Sequence, residues 1–119
     1  MPSILELAYL GDAVYELYIR EYLINNNPGK MKDIQKLSLN FVSAASQRRI
    51  LESLINSKIL TESEVDLVRM GRNAKGGKSK STDIITYRYA TSLEYLIGYL
   101  YLNNKDRLKI IMQYIWEVK

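Results

Sequence analysis

The sequence predicts an all-α protein, and three observations lead to this class. Apolar residues recur at three- and four-residue spacing along most of the 119 residues, as expected for helices that face a core. Two stretches without apolar periodicity interrupt this pattern, the Asn-Asn-Asn-Pro-Gly sequence at 25–29 and the glycine-containing residues 72–82. The one alternating stretch, the tyrosine-rich residues 95–101, lies inside a longer helical pattern and therefore does not indicate a strand. We expect one helical domain covering residues 1–119.

Six helices are expected in chain order. The first begins near residue 3 and ends before the Asn-Asn-Asn-Pro-Gly sequence at 25–29, which cannot continue a helix. The later helices are each recognised by an apolar stripe on one face. Their expected ranges are 3–24, 31–40, 43–56, 61–71, 82–103 and 106–117.

Capping signals define the fourth helix and the loop that follows it. Thr61 and Glu64 have the spacing of a capping box, which places the start of this helix at Thr61. Gly71 is expected to end the helix as a left-handed cap. Residues 72–82 have no apolar period and contain two adjacent glycines, so they are expected to form an exposed loop.

Composition excludes several classes of chemistry. The chain has no cysteine and no histidine, which rules out disulfides, thiolate sites, Ser-His-Asp catalysis and the usual zinc ligands. Any catalysis must therefore use carboxylates, lysines, hydroxyls or a hard cation held by oxygen atoms. The start lacks the basic region of a signal peptide, and the longest charge-free apolar run is too short to cross a bilayer. We expect a cytoplasmic protein with no membrane contact.

The net charge of +4 comes from one segment. Residues 67–82 contain no acid, and they carry the five basic residues Arg69, Arg72, Lys75, Lys78 and Lys80. The other twelve Lys and Arg are balanced by thirteen Asp and Glu. The segment is either a solvated loop or an arm that contacts phosphates.

Two acids stand out because each lies on an apolar helix near a glycine. Asp12 follows Gly11 in the first helix, and Glu94 precedes Gly98 by four residues in the fifth. An isolated carboxylate among apolar side chains is costly unless it is paired or bound to a cation, and we expect both acids to be buried. Without histidine, a shared pair of carboxylates suits Mg²⁺ or Mn²⁺.

The alternative is that each acid pairs with a basic side chain, for instance Arg20 or Arg88. Spacing alone favours this alternative. Glu16 is expected to form an ion pair with Arg20, since the two are four residues apart on one helix.

Several motifs, taken in order, resemble a known family. The sequence Leu-Gly-Asp-Ala-Val at 10–14 resembles the signature helix of the ribonuclease III nuclease domain, and Leu-Glu-Tyr-Leu-Ile-Gly at 93–98 is similar to its second acidic motif. Gly-Arg-Asn-Ala-Lys at 71–75 and Thr-Tyr-Arg-Tyr at 86–89 resemble Mini-III, the compact bacterial branch of this family. That branch has the nuclease domain without a separate double-stranded-RNA-binding domain.

The resemblance implies a dimeric, all-α nuclease domain of the ribonuclease III type. The implied activity is metal-dependent cleavage of double-stranded RNA, with trimming of 23S ribosomal RNA precursor ends as the characteristic task. Mg²⁺ is the implied cofactor, with Mn²⁺ as a substitute. The implied partners are double-stranded RNA and a second copy of the chain, and the participation of a ribosomal protein is left open.

The resemblance also assigns roles to individual residues. Asp12 and Glu94 match the two catalytic acids, both of which are metal ligands. Tyr9 stands where the family has a phenylalanine that packs into the partner subunit. The residues expected to contact RNA are Arg72, Asn73, Lys75, Lys78 and Lys80.

The chain departs from the larger ribonuclease III enzymes at positions where these have further acids. Leu5, Ala8 and Thr91 occupy three of these positions. With fewer carboxylates, we expect one firmly bound Mg²⁺ and a second ion recruited with the RNA phosphate.

Two other functions compete with the nuclease. The first is a non-catalytic double-stranded-RNA-binding or ribosome-assembly module that keeps the fold and uses its acids structurally. The second is a small basic helical DNA-binding protein, which would need a recognition helix with exposed base-reading side chains that the sequence does not offer.

Overall fold

The computed structural model describes residues 2–26, 29–74 and 83–118, and within these ranges the chain is helical with no strand. The predicted all-α class is therefore confirmed. Most helix boundaries lie within two residues of those expected from the sequence. The six helices are α1 (Ile4–Asn26), α2 (Met31–Val42), α3 (Ala44–Asn56), α4 (Glu62–Asn73), α5 (Ile84–Asn103) and α6 (Lys105–Val118).

Side-chain caps fix the starts of α4 and α5. The predicted capping box is present: Thr61 Oγ1 accepts a hydrogen bond from the Glu64 amide (3.2 Å), and Glu64 Oε1 accepts one from the Thr61 amide (2.9 Å). Asp83 caps α5 by accepting a hydrogen bond from the amide of Thr86 (2.8 Å). The capping box at Thr61 was predicted from the sequence because it depends only on local spacing.

The expected end of α4 at Gly71 is wrong. The helix continues to Asn73, and Gly71 is buried against α5. A Cβ at this position would lie 2.9 Å from the Cα of Ser92, so the glycine allows close helix packing rather than a left-handed cap. Arg72 and Asn73, which were predicted to lie in the loop, are therefore helical. Residues 75–82 of the predicted loop lie outside the described residues.

Helix α5 forms the centre of the fold and packs against α1, α3, α4 and α6. Leu93, Leu96 and Ile97 on this helix are completely buried. Burial of such side chains stabilises the fold by roughly 1.5–3 kcal/mol each. On α1, the buried Tyr15 donates a hydrogen bond from its hydroxyl to the carbonyl of Phe41 (2.8 Å), which joins α1 to the end of α2.

An aromatic cluster joins the end of α1 to α2 and α6. The ring of Tyr22 is stacked on that of Trp116, with centroids 4.3 Å apart. The ring of Phe41 meets Trp116 edge-on at 5.9 Å. These are the offset-stacked and T-shaped geometries that aromatic pairs prefer.

A charged pair joins α4 to the beginning of α6. Arg107 donates two hydrogen bonds to the carboxylate of Glu64, at 2.7 and 2.8 Å, and a third to the carbonyl of Ile59. Burial alone would raise the pKa of Glu64, but these bonds and those from Thr61 outweigh it and lower the pKa below its usual value. Among the described residues, no helix is both long and apolar enough to cross a membrane.

Candidate active site

The site is built where α1 crosses α5. Gly11 and Gly98 are both buried at this crossing. A Cβ on Gly11 would overlap the carbonyl oxygen of Glu94, and one on Gly98 would overlap that of Leu7. The two backbones are therefore closer than side chains at these two positions would permit.

This crossing brings together two acids that are far apart in the sequence. Asp12 follows Gly11 directly, and Glu94 lies on the facing turn of α5; their carboxyl groups are in hydrogen-bonding range of each other. They share an open cavity of about 300 Å³. The cavity is lined by Leu5, Ala8, Tyr9, Asp12, Tyr87, Thr91 and Glu94.

The two acids differ in exposure, which corrects the expectation that both are buried. Glu94 is half-buried, but Asp12 is exposed. Gly11 occupies the line of closest contact with α5, and one further residue along the helix turns Asp12 towards the mouth of the cavity. The site is consequently an open cleft that a large substrate can reach.

The surroundings of Glu94 disfavour its charged form. Burial, the charge of Asp12 and the more distant charge of Glu16 raise the pKa of Glu94 to about 8. The nearby amide of Gln47 acts in the opposite direction and lowers this pKa. Glu94 therefore holds a proton near neutral pH unless a cation is present, since a cation would favour the carboxylate.

The alternative pairing of these acids with basic residues is not found among the described residues. Arg20 pairs with Glu16 across 3.2 Å, as predicted, and the exposed Arg88 forms no ion pair with either acid. In the described part of the chain, no Lys or Arg forms an ion pair with Asp12 or Glu94.

The donor set fits a hard divalent cation. Two carboxylates in hydrogen-bonding range of each other offer oxygen ligands, which Mg²⁺ and Mn²⁺ prefer. The described residues contain no group of three or more His, Cys, Asp and Glu side chains that could hold a metal ion. A cation held by Asp12 and Glu94 would therefore complete its coordination with water or substrate oxygens.

Gln47 is a member of this site that was not predicted from the sequence. It is 2% exposed and reaches the carboxyl group of Glu94 from α3. A signal was available, because Gln47 precedes the buried Ile50 and Leu51 by three and four residues and so shares their face of the helix.

The basic residues predicted to contact RNA are only partly described. Arg72 lies in α4, where its guanidinium is 5.4 Å from the centre of the Tyr89 ring and donates a hydrogen bond to the Tyr89 hydroxyl (3.3 Å). Arg48 approaches the same ring at 5.0 Å. Asn73 is exposed near the end of α4. The other three predicted residues, Lys75, Lys78 and Lys80, lie outside the described residues.

Tyr9 borders the cavity, and its side chain is far more exposed to solvent than is usual for a large aromatic residue. It is 85% exposed, and its neighbour one turn earlier, Leu5, is 41% exposed. An apolar pair so exposed beside a polar cleft is typical of a surface that another molecule covers.

Comparison with known proteins agrees with this geometry. The Ribonuclease III domain family matches residues 5–105. A Mini-ribonuclease 3 of Enterococcus faecalis is 39% identical over 117 residues, covering 97% of this chain and 87% of its own length. One from Desulfitobacterium hafniense is 46% identical over 101 residues, covering 85% of this chain, and the match spans 63% of that relative's length.

A solved structure shares the fold. A crystal structure of a protein from Fusobacterium nucleatum superposes with a TM-score of 0.82 at 32% identity, covering 95% of this chain and 92% of its own. The similarity in sequence and in fold thus extends over nearly the whole chain. The chain belongs to the ribonuclease III family and, within it, to the Mini-ribonuclease 3 proteins.

Proposed function

We propose that this chain is a divalent-cation-dependent endoribonuclease that cleaves double-stranded RNA. The observation that carries the proposal is the convergence of Asp12 and Glu94 on one open cavity, with no Lys or Arg paired to either among the described residues. Membership of the ribonuclease III family supports nuclease chemistry at this cavity. We propose that the nuclease domain extends over residues 1–119.

Asp12 and Glu94 would hold Mg²⁺, with Mn²⁺ as a substitute. When bound, the ion supplies charge neutralisation at the scissile phosphate and lowers the pKa of the attacking water. The protein supplies the position of the two carboxylates, fixed by the Gly11–Gly98 crossing. Glu94 must release its proton to take part, and the neighbouring cation favours that release.

The exposed tyrosine supports action as a homodimer. Tyr9 and Leu5 form an apolar patch beside the cavity, so a second copy that covers the patch would bring two cavities close together. Two such centres can each serve one strand of a duplex.

Basic residues near the end of α4 are proposed to hold the RNA. Arg72 is pre-oriented by the Tyr89 ring, and Asn73 is exposed beside it. Together with Lys75, Lys78 and Lys80 they would contact phosphates and 2′-hydroxyls, which report the shape of the duplex more than its sequence. Precursor ends of 23S ribosomal RNA, in the cytoplasm, are the proposed natural substrate, and a ribosomal protein is a candidate assisting partner.

The test is cleavage of a long RNA duplex by the purified protein with Mg²⁺, with Mn²⁺ and with EDTA. We expect fragments only with a divalent ion. Asp12→Asn should lower the cleavage rate at least about a hundredfold and keep RNA binding. Asp66→Asn, which changes an exposed acid on α4, is the control.

The opposite outcome identifies the second candidate. If the wild-type protein binds the duplex but leaves it intact with either ion, the chain is a binding module on the same fold. Cleavage that persists in Asp12→Asn would remove the proposed catalytic role from this cavity.

A further inference from the structure

Two arginines from different helices meet at one tyrosine near the start of α5. Arg48 comes from α3, and its guanidinium carbon lies 5.0 Å from the centre of the Tyr89 ring. Arg72 comes from α4, and its guanidinium carbon lies 5.4 Å from the same centre. Both distances are within the range in which an aromatic ring attracts a cation. The fold thus brings together two positive charges that are far apart in the sequence, and we call these three residues the Tyr89 cluster.

Arg72 is held in the cluster without an acid. Its Nη1 donates a hydrogen bond to the hydroxyl of Tyr89 (3.3 Å), and it forms no ion pair with any residue that the structure describes. A guanidinium has five N–H donors. One bond to a hydroxyl therefore leaves the positive charge and most of these donors available to an anion.

The contacts of Arg48 within the protein use only part of its guanidinium. Nη1 donates a hydrogen bond to Thr86 Oγ1 (2.9 Å), and Nε lies 3.6 Å from a carboxylate oxygen of Glu52. The pair with Glu52 is formed within one helix, and the side chain of Glu52 is 43% exposed, so this pair contributes little. The side chain of Arg48 is itself 35% exposed, so a ligand can reach it from solvent.

A second acid, Asp83, lies close enough to Arg48 for their charges to interact. Its carboxylate caps α5, because the two oxygens accept hydrogen bonds from the amide (2.8 Å) and the hydroxyl (2.9 Å) of Thr86. Asp83 thereby fixes the hydroxyl to which Arg48 donates. A phosphate that binds Arg48 would displace only the exposed Glu52.

The Tyr89 cluster lies close to the candidate active site along α5. Tyr87, which lines the cavity with Asp12 and Glu94, precedes Tyr89 by two residues. Both tyrosines lie near the start of α5, which begins at Ile84. An RNA duplex is much larger than this cavity, so a duplex bound there must extend over the neighbouring surface. The start of α5 is part of that surface.

We propose that Arg48 contacts a backbone phosphate of the RNA beside Arg72, with the ring of Tyr89 holding both guanidiniums in place. This inference rests on the nuclease function proposed above, and it extends the RNA-binding surface from α4 to α3. A guanidinium suits this role because it is always charged, stacks on an aromatic ring and binds phosphate oxygens through its N–H groups. An arginine that is already oriented also loses less side-chain freedom on binding.

The test compares Arg48→Met with Arg49→Met, which removes the same charge from the next residue of α3. Arg49 is exposed and donates a hydrogen bond to the hydroxyl of Ser46 (3.0 Å). Binding to an RNA duplex is measured by filter binding between 50 and 200 mM salt. EDTA is present throughout so that the RNA stays intact. Circular dichroism verifies folding.

We expect Arg48→Met to reduce the slope of log K against log salt by about 0.7–0.9, which corresponds to one phosphate contact. The loss of affinity between 50 and 200 mM salt should then be about threefold smaller than in the wild type. Arg49→Met should keep the wild-type slope. A wild-type slope in Arg48→Met, or equal reductions in both variants, would overturn the inference.

Thr86→Val separates a contact with RNA from a purely structural role of Arg48. This change keeps the size of the side chain, removes the hydroxyl to which Arg48 donates and leaves the charge of Arg48 in place. We expect Thr86→Val to keep the wild-type slope. A reduction as large as that in Arg48→Met would mean that Arg48 serves only to join α3 to α5, and it would overturn the inference.

If Arg48→Met does not fold, Arg48→Gln replaces it, and the same reduction in slope is expected. Unfolding of both variants would assign Arg48 to the fold and would also overturn the inference. Failure of the nuclease proposal is distinguishable, because a wild-type protein that binds the duplex and leaves it intact with Mg²⁺ would still show the difference in slope. A wild-type protein that binds no duplex would overturn both proposals.

Discussion

Gly11 and Gly98 lie against each other at the crossing of α1 and α5. A Cβ built on Gly98 would lie 3.0 Å from the backbone nitrogen of Gly11, and one built on Gly11 would lie 2.8 Å from that of Gly98. Neither obstacle is a flexible side chain that could move aside. Because neither glycine carries a Cβ, the two helices can approach closely, and this approach sets the distance between Asp12 and Glu94.

Gly11→Ala should separate the two helices. The new methyl group would overlap the carbonyl oxygen of Glu94, and overpacking of this kind costs about 1–3 kcal/mol or more. We expect a loss of at least about 2 kcal/mol in the free energy of unfolding, measured by urea denaturation, together with weaker Mn²⁺ binding. Ala45→Ser, an exposed change on α3, is the control. Wild-type stability in Gly11→Ala would show that the two helices can separate there at no cost.

The raised pKa of Glu94 gives stability a definite dependence on pH. Burial and the charges of Asp12 and Glu16 raise this pKa from 4.5 to about 8, so between these values the folded chain binds a proton that the unfolded chain releases. The free energy of unfolding should therefore fall as pH rises across this range without divalent ions, by on the order of 2 kcal/mol from this group. Urea denaturation at pH 5, 6.5 and 8 in EDTA measures it.

Glu94→Gln supplies the comparison for this pH dependence. The amide cannot titrate, so the variant should lose less stability than the wild type between pH 5 and 8. Equal losses in the two proteins would mean that Glu94 does not titrate in this range.

Arg107→Met should strongly destabilise the fold. The change leaves the buried carboxylate of Glu64 without its cation, which costs about 2–4 kcal/mol at this mostly buried site. Arg69→Met is the matched control, because it removes an exposed ion pair with Asp66 and should change stability by less than about 1 kcal/mol. Chemical denaturation of both variants at pH 7 tests the contrast, and similar effects would contradict it.

Thr91→Asp should strengthen cation binding. Thr91 lines the cavity beside Glu94, at a position where the larger ribonuclease III enzymes have an acid. A third carboxylate adds an oxygen ligand and a negative charge, so we expect Mn²⁺ to bind about tenfold more tightly. Thr91→Asn adds no charge and serves as the control. Calorimetric titration with Mn²⁺ measures both, and equal affinities would place the ion away from Thr91.

Neutralising Arg72 and the three lysines that follow it in the sequence should weaken RNA binding and reduce its salt dependence. We expect replacement of Arg72, Lys75, Lys78 and Lys80 by methionine to reduce the slope of log K against log salt by about 0.7–0.9 for each phosphate that is no longer neutralised. Replacing Lys30, Lys32 and Lys36 near the start of α2 is the control. Filter binding to a duplex at several salt concentrations measures the slope, and an unchanged slope would exclude this group from the interface.

Local spacing accounts for what could be predicted of the fold. The period of the apolar residues predicts six helices, and the Thr61–Glu64 spacing predicts the cap of α4. The prediction that Gly71 ends α4 is wrong because a glycine near a helix end looks the same in the sequence whether it caps that helix or packs against a neighbouring helix. Only the position of Ser92 in space decides between the two.

The two acids of the candidate site could be predicted from the sequence, but the residues around them could not. Asp12 and Glu94 stand out as charges on apolar helices, yet periodicity could not distinguish a buried face from its edge, where Asp12 lies. The burial of Gln47 was not predicted because a glutamine in an amphipathic helix is usually a surface residue. Its burial depends on how α3 packs on α5.

The cluster of Tyr22, Phe41 and Trp116 contains an intrinsic fluorescent probe. Trp116 is the single tryptophan, so all indole fluorescence comes from the place where α6 meets the ends of α1 and α2. A shift of its emission to longer wavelength records water entering that junction. Unfolding of this end of the bundle can thus be followed without an added label.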